Sequence, residues 1–290
     1  MTHFTQINDY STDTYLELLD QAQHIRQQLR SGIQTLPLAG KTLGMIFEKP
    51  SNRTRVSFEV GMYQLGGHAV YIQKQDIGMG TREPISDVAK VLSRYVNGVV
   101  IRSMLQSTIT EFAAHATVPV INGLSDLHHP CQALADVLTI LDHKKTLSGL
   151  KVCYIGDGNN VCVSLIQLCE KLGMQTVVAC PPGYEPPLAN ATINHDVMAA
   201  VTDADVLYTD VWVSMGQEAE TAKRLNDLAP YQVTLPILKH AKSNAILMHC
   251  LPANRGQEVT AEALDSPHSV IFDQAENRLH AQKAILARLL

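Results

Sequence analysis

The stretch Thr42-Leu43-Gly44-Met45-Ile46-Phe47-Glu48-Lys49-Pro50-Ser51-Asn52-Arg53-Thr54-Arg55-Val56-Ser57-Phe58 reads as a buried strand that turns directly into a helix. The apolar run Thr42–Phe47 has the unbroken character of a strand covered on both faces. Pro50 stops it, and Ser51 is a good helix N-cap. Arg53, Thr54 and Arg55 then crowd the first helical turn, where the helix dipole disfavours cations. A sequence accepts that conflict most readily when an anion sits there. Free backbone N–H groups, two hydroxyls and two guanidinium forks form a cradle for a phosphate or carboxylate. The competing interpretation is a capped surface helix whose arginines pair with neighbouring acids.

Around this stretch the chain alternates helices and strands, with no internal repeat or low-complexity tract. Upstream, Ser11 or Thr12 caps a helix with Tyr15, Leu18, Leu19, Ala22, Ile25 and Leu29 at helical spacing, ended by Gly32. Downstream, a short strand at His68–Ile72 and a glycine loop lead to Pro84 and a helix carrying Val88, Ala89, Leu92, Tyr95 and Val96 inward. Gly98-Val-Val-Ile-Arg102 reads as a buried parallel strand ending in an arginine. A charge at that end points into the crevice where open α/β sheets bind ligands, unless it snorkels to solvent. A helix over 106–116 and a strand over 118–122 precede Leu127-His128-His129-Pro130-Cys131-Gln132, where Pro130 opens an apolar helix. His128, His129 and Cys131 invite a zinc reading, but their spacing fits no common zinc motif and no fourth ligand is evident, so no metal is expected.

A hinge is expected over Lys144–Gly149. Lys151-Val-Cys-Tyr-Ile155 then runs into Gly156-Asp157-Gly158-Asn159-Asn160-Val161, which imitates a dinucleotide fingerprint without its third glycine or the acid after the next strand. A Rossmann-like layout is expected here and a nicotinamide cofactor is not. Asn160 offers an amide at the helix start. The strand at Asp205–Asp210 ends in Asp210-Val-Trp-Val-Ser214-Met215-Gly216, which places a carboxylate, a hydroxyl and loop N–H groups at one strand end. That set suits an amino-acid zwitterion; a solvated loop around a buried Trp212 is the alternative. The strand at 245–249 ends in Cys250-Leu251-Pro252, a position for a reactive thiol or for a packed structural one. A final helix runs from Gln274, with Arg278 in its first turn.

With 290 residues, the length suggests two domains, each able to bury a core. The composition is 46% hydrophobic and 18% charged, ordinary for a globular enzyme, and the net charge of −5 argues against nucleic acid or an anionic membrane as partner. No run approaches transmembrane length and the N-terminus lacks a signal-peptide core. The 6 cysteines have no framework spacing and are expected as reduced thiols in a cytoplasm.

Taken together, the strand-end motifs resemble the aspartate/ornithine carbamoyltransferase family over essentially the whole chain. Ser51-Asn52-Arg53-Thr54-Arg55 resembles its S-x-R-T-R carbamoyl-phosphate loop. Arg102, His129-Pro130-Cys131-Gln132, Cys250-Leu251 and Arg278 match the remainder of that site. Asn160, Asp210, Ser214 and Met215 match the ornithine-binding segments, the Ser-Met-Gly loop and His-Cys-Leu-Pro being the ornithine-type features. The resemblance implies two three-layer α/β domains with parallel sheets, linked by interdomain helices, with the active site between them. It implies a carbamoyl-phosphate domain over 1–143, an ornithine domain over 144–273, and a helix at 274–290 returning to the first. It further implies catalytic roles for Arg102, His129, Cys250 and Asp210, no cofactor, and a homotrimer in which a loop reaches a neighbouring subunit. One departure stands out. Where the family motif is D-x-Q-x-G, this chain has Asp76-Ile77-Gly78-Met79-Gly80, so Gly78 lacks the side chain expected there. An oxidoreductase built on Gly156-Asp157-Gly158, a carbamoyltransferase for another amine such as putrescine, and a non-catalytic ligand-binding paralogue are the alternatives.

Overall fold

The structure, a computed structural model, describes residues 3–188, 191–214 and 216–290. The chain divides into two compact units, Met1–Leu138 with Glu276–Leu290, and Thr139–Ala275. Unit 1 contains α1 (Thr12–Arg30), β1 (Thr42–Phe47), α2 (Asn52–Gln64), β2 (His68–Gln73), α3 (Lys74–Ile77), α4 (Ile85–Leu92), β3 (Gly98–Arg102), α5 (Gln106–His115), β4 (Val120–Leu124) and the start of α6 (Pro130–Lys144). Unit 2 contains β5 (Lys151–Ile155), α7 (Asn160–Lys171), β6 (Gln175–Ala179), β7 (Thr192–Asn194), α8 (Val197–Val201), β8 (Val206–Thr209), α9 (Thr221–Leu228), α10 (Leu235–His240), β9 (Ile246–His249), α11 (Ala261–Leu264) and the first residues of α12 (Ile271–Leu289), whose remainder belongs to unit 1.

All strand pairs within the two sheets are parallel, in the orders β2-β1-β3-β4 and β7-β6-β5-β8-β9. The unbroken apolar runs predict this, because crossover helices cover both faces of a parallel sheet. In unit 1, Ile46, Val99, Ile101 and Val120 pack with Val88 and Ala89 of α4 and Ile109 and Phe112 of α5. In unit 2, Cys153, Ile155, Leu207 and Leu247 pack with Val197, Ala200 and Val201 of α8 and with Leu238 of α10. The intervening strand residues Met45, Val100, Val152, Tyr154 and Tyr208 are also buried.

Each sheet reverses its winding once, between β1 and β3 in unit 1 and between β5 and β8 in unit 2. Ligands of open α/β sheets bind at the carboxyl ends of strands at such points. The Ser51–Arg55 turn follows β1 and Arg102 ends β3; the Gly156–Asn160 turn follows β5 and Asp210 follows β8. The topology therefore brings the chemistry-bearing turns together in pairs.

Several local expectations change. Leu29 is 41% exposed, in the last turn of α1, and Tyr95 is 74% exposed because α4 ends at Leu92 and the following turn carries Tyr95 off its face. The fourth strand spans Val120–Leu124 rather than 118–122, and its register with β3 shifts between Ile101 and Arg102, skipping Gly123. A one-turn helix, α3, is inserted after β2: the Gln73 N–H donates to Asp76 Oδ2 at 2.8 Å at its start, and Gly78 ends it in the left-handed region at φ 61°. Helix α12 begins at Ile271, one turn before Gln274.

Candidate active site

Unit 1 gathers cations at the β1–β3 switch point. Ser51 occupies the N-cap of α2 but makes no side-chain cap bond, so its hydroxyl is not used to hold the helix. Arg53 follows in the first turn. Arg55 behaves differently: its Nε donates to Glu59 Oε1 at 3.0 Å, and its guanidinium lies 3.9 Å from the Tyr71 ring centroid. The surface-pairing interpretation is thus right for Arg55, and the cradle keeps one guanidinium fork from this turn rather than two. Asn52 is exposed.

Arg102 is 7% exposed. Opposite it the ladder is irregular, two β4 residues facing one on β3. Burial, with the neighbouring Arg278 and Arg53 guanidiniums, pushes its pKa down from 12.5 to about 10. Among the described residues no carboxylate forms a salt bridge with Arg53 or Arg102. Arg102 and Arg278 are buried and Arg53 is half-buried beside them; like charges so placed repel one another, and an anion offsets that repulsion. His129, just before α6, is buried, and burial with Arg278 and Arg102 holds its pKa well below 6.5, so its imidazole is neutral at neutral pH.

Arg278 reaches the same pocket from α12. Its NH1 donates to Gln132 Oε1 at 2.5 Å and its NH2 to Thr54 Oγ1 at 3.3 Å. Thr54 accepts that bond and keeps its own proton to donate. Gln132 is oriented from its other end, Nε2 donating to Asp136 Oδ1 at 2.8 Å. Asp136 escaped the sequence reading although the i,i+4 spacing to Gln132 on α6 was visible. Cys131 turns away: its thiol donates to the Asn122 carbonyl at 3.3 Å, and burial pushes its pKa up to about 12. Pro130 serves as the first residue of α6.

Glu48, also not anticipated, braces this pocket without entering it. Its backbone N–H donates to the Arg102 carbonyl at 2.9 Å. Its carboxylate accepts from Ser103 Oγ at 2.7 Å and Met104 N at 2.8 Å, and pairs with Lys74 at 3.3 Å. Burial raises its pKa, but these bonds outweigh burial and hold it below the usual value.

Unit 2 presents a different set. Asp210, 6% exposed, accepts from Asn159 Nδ2 at 2.9 Å and from the Cys250 thiol at 3.0 Å. Asn159 is the N-cap of α7, its side-chain oxygen accepting from Val161 N and Cys162 N. It therefore acts twice, capping the helix and aiming Asp210. Asn160 stands beside it, its side-chain oxygen accepting from Val161 N at 2.9 Å. The Ser214 N–H donates to Gln217 Oε1 at 3.0 Å, and Met215 lies outside the described residues. Leu251 has φ 61° and a cis bond to Pro252. Arg224 of α9 joins the two loops: it pairs with buried Asp157, and its Nε donates to the Trp212 carbonyl at 2.7 Å.

The glycine turn after β5 is filled. A Cβ at Gly158 would lie 2.3 Å from Pro186 N, and the Gly158 N–H donates to the Tyr184 carbonyl at 2.8 Å. The glycine at 158 is thus accounted for by close packing against the 184–186 backbone.

A family model for the aspartate/ornithine carbamoyltransferase carbamoyl-P binding domain matches residues 2–142, and one for the Asp/Orn binding domain matches 148–289. The chain belongs to the aspartate/ornithine carbamoyltransferase family. It is 52% identical to the ornithine carbamoyltransferase of Carboxydothermus hydrogenoformans, over 99% of this chain and 97% of that protein. A solved ornithine carbamoyltransferase from Pyrococcus furiosus superposes with a TM-score of 0.96 at 50% identity, over 99% of this chain and 96% of that one. An N-acetyl-L-ornithine transcarbamylase structure is similar at 31% identity, with a TM-score of 0.88 and complete coverage of both chains. The two α/β domains and parallel sheets expected from the sequence are those of this family.

Proposed function

We propose that this chain transfers the carbamoyl group of carbamoyl phosphate to the δ-amine of L-ornithine, giving L-citrulline and phosphate. The observation that carries the reading is the cluster of Arg53, Arg102 and Arg278 in unit 1, which receives no carboxylate on Arg53 or Arg102 and repels itself until a polyanion binds. Unit 2 carries the Asp210–Cys250 pair, to which we assign the amine.

The tasks follow from charge. Ser51, Asn52, Arg53 and the N-terminus of α2 take the phosphate. Thr54, Arg102 and neutral His129 donate to the carbonyl oxygen as it becomes negative. Gln132 Oε1 and the Leu251 carbonyl accept from the carbamoyl NH₂. The nucleophile is an amine with a solution pKa near that of lysine, about 10.4, so it must lose a proton. Asp210 takes the δ-ammonium's proton, directly or through Cys250. The freed lone pair attacks the carbonyl carbon, the bond to the phosphate oxygen breaks with its electrons leaving on phosphate, and the second proton of the attacking nitrogen passes to the departing phosphate. Asn160 and Ser214 hold the α-amino and carboxylate ends.

We further propose a biosynthetic role in arginine metabolism. The six free thiols accord with a reducing cytoplasm, and no helix among the described residues is long and apolar enough to cross a membrane. For assembly we infer a homotrimer formed through unit 1. Val56, Val60 and Tyr63 make an exposed apolar stripe on α2, 48%, 36% and 78% exposed, and Val70 stands 40% exposed on the edge strand β2.

A panel assay tests the activity: carbamoyl phosphate with ornithine, N-acetylornithine, putrescine, lysine or aspartate. Citrulline from ornithine, at higher kcat/KM than any other product, is the expected result. Turnover of another amine with none of ornithine would refute the proposal. Light scattering on a sizing column tests the trimer.

A further inference from the structure

We propose that Gln282 is a positioning residue that ties α12 to the first turn of α2 and presents Arg278 to the carbamoyl-phosphate site without neutralising it. The proposal rests on the assignment of Arg53 and Arg278 to that site. Gln282 is 0% exposed. A buried amide must satisfy both of its ends, and Gln282 does so in one orientation. Its oxygen accepts from Arg278 NH2 at 3.1 Å. Its nitrogen donates to the Arg278 carbonyl at 3.2 Å and to Ser57 Oγ.

Ser57 carries the tie on to the phosphate cradle. Its proton is shared between the carbonyls of Arg53, at 2.6 Å, and Thr54, at 3.2 Å. Arg278 NH2 also donates to Thr54 Oγ1. The bonds therefore close a ring, from the Thr54 carbonyl through Ser57, Gln282 and Arg278 back to the Thr54 hydroxyl. The Arg53 backbone and the Arg278 guanidinium come from opposite ends of the chain and are held in one frame.

Packing alone does not call for an amide at this position. The seam between α2 and α12 is already closed beyond it: a Cβ at Gly61 would lie 3.4 Å from Lys283 Cγ and 3.7 Å from Leu279 and Leu286 Cδ1. Further along, Lys283 Nζ donates to Gln64 Oε1 at 2.9 Å. An apolar residue at 282 would extend that packing without burying a polar group, but it could not accept from Arg278. An acid could accept, but its charge would offset the cation beside Arg102 and Arg53. An amide fixes a guanidinium and leaves its charge for a ligand. Gln132 Oε1 meets NH1 of the same guanidinium in the same way, so amide side chains hold both arms of Arg278.

The test compares Q282L, Q282E and S57A with wild type by citrulline kinetics and by the rise in melting temperature that inorganic phosphate gives. In Q282L the guanidinium loses an acceptor. The carbamoyl-phosphate KM should rise about 10-fold, the scale of one hydrogen bond to a charged group, with the ornithine KM unchanged. The phosphate-induced rise should shrink in step. Q282E keeps an acceptor but sets a carboxylate against the cluster, so it should lose more of the phosphate response than Q282L. S57A cuts the tie to the cradle while Arg278 keeps its acceptor, so its carbamoyl-phosphate KM should rise by less. A wild-type carbamoyl-phosphate KM and phosphate response in folded Q282L would overturn the proposal. So would equal rises in both KM values, or turnover lost only in step with melting temperature. If Q282L does not fold, Q282E and S57A decide by their phosphate responses, and wild-type responses in both would overturn it. A phosphate response that weakens in Q282L and Q282E while no protein makes citrulline would refute the activity and leave the tie standing.

Discussion

Replacing Arg102 with methionine separates function from stability more sharply than any other change in unit 1. Burial and the two neighbouring guanidiniums lower the Arg102 pKa from 12.5 to about 10. At about 1.4 kcal/mol per pKa unit, the native state therefore gives up about 3 kcal/mol to keep this side chain charged. The sign follows from a depressed cation: the cost is fully present below pH 10 and fades as pH rises through the folded value. Methionine keeps most of the apolar stem and removes the charge, so R102M should melt no lower than wild type at pH 7, and higher if its thioether fills the space. Turnover should fall about 100-fold or more, the usual loss for one donor to a developing oxyanion. Inorganic phosphate supplies an independent reading, because a ligand of the native state stabilises by RT ln(1 + [L]/Kd). Phosphate should raise the melting temperature of wild type and do so distinctly less for R102M. Differential scanning fluorimetry with and without phosphate, beside steady-state citrulline assays, measures all three quantities. If R102M loses melting temperature and turnover together, and phosphate stabilises both proteins equally, the guanidinium is structural and the arginine cluster is not an anion site.

The other predictions concern the braces. Arg224→Met leaves Asp157 buried without its partner and should cost roughly 3–5 kcal/mol in denaturant melts. Burial already pushes Asp157 up to about 6 against the pull of Arg224; without that pull it rises further, so R224M should become more stable as pH falls from 7 toward 5, and a flat pH profile would refute this. Glu48→Gln removes a carboxylate whose pKa lies below its ordinary value, stability that is present above about pH 4.5 and lost as pH falls through the folded value. E48Q should therefore flatten the acid limb of a melting profile, and it should raise the carbamoyl-phosphate KM more than the ornithine KM by loosening the Arg102 strand end. Gly78→Gln restores the family residue but forces a Cβ at φ 61° to 2.8 Å from Arg82 Cβ. It should cost on the order of 1–3 kcal/mol without lowering the carbamoyl-phosphate KM, and a stable G78Q with tighter substrate would show that the loop is not built around glycine.

Gly78 also marks where the sequence stops being legible. As a departure from a motif it looks like a missing ligand contact; in the structure it is the left-handed end of a one-turn helix, with Arg82 folded over it and donating to the Asp76 and Ile77 carbonyls at 3.3 Å. Both sheets and the strand-end positions of Arg102 and Asp210 were readable, because a parallel strand covered on both faces leaves an unbroken apolar run and its first polar residue marks the crevice. The partition among those polar residues was not readable. Arg53 and Arg55 are identical in kind and two positions apart, and only the helix's turn sends one toward Arg102 and the other onto Tyr71. Asn159 and Asn160 are adjacent, yet the cap geometry of α7 gives the first to Asp210. Glu48, Asp136 and Gln282 escaped for a deeper reason. Each acts on a functional residue through a bond whose partner is set by register or helix phase, and residue type carries no mark of that. A carboxylate beside an arginine cluster would ordinarily be read as neutralising it. Here Glu48 spends its lone pairs on Ser103, Met104 and Lys74, and Asp136 orients Gln132, so neither carboxylate forms a salt bridge with Arg53 or Arg102. The acids nearest the site hold its frame, and the positive charge of Arg53 and Arg102 is left for the phosphate to meet.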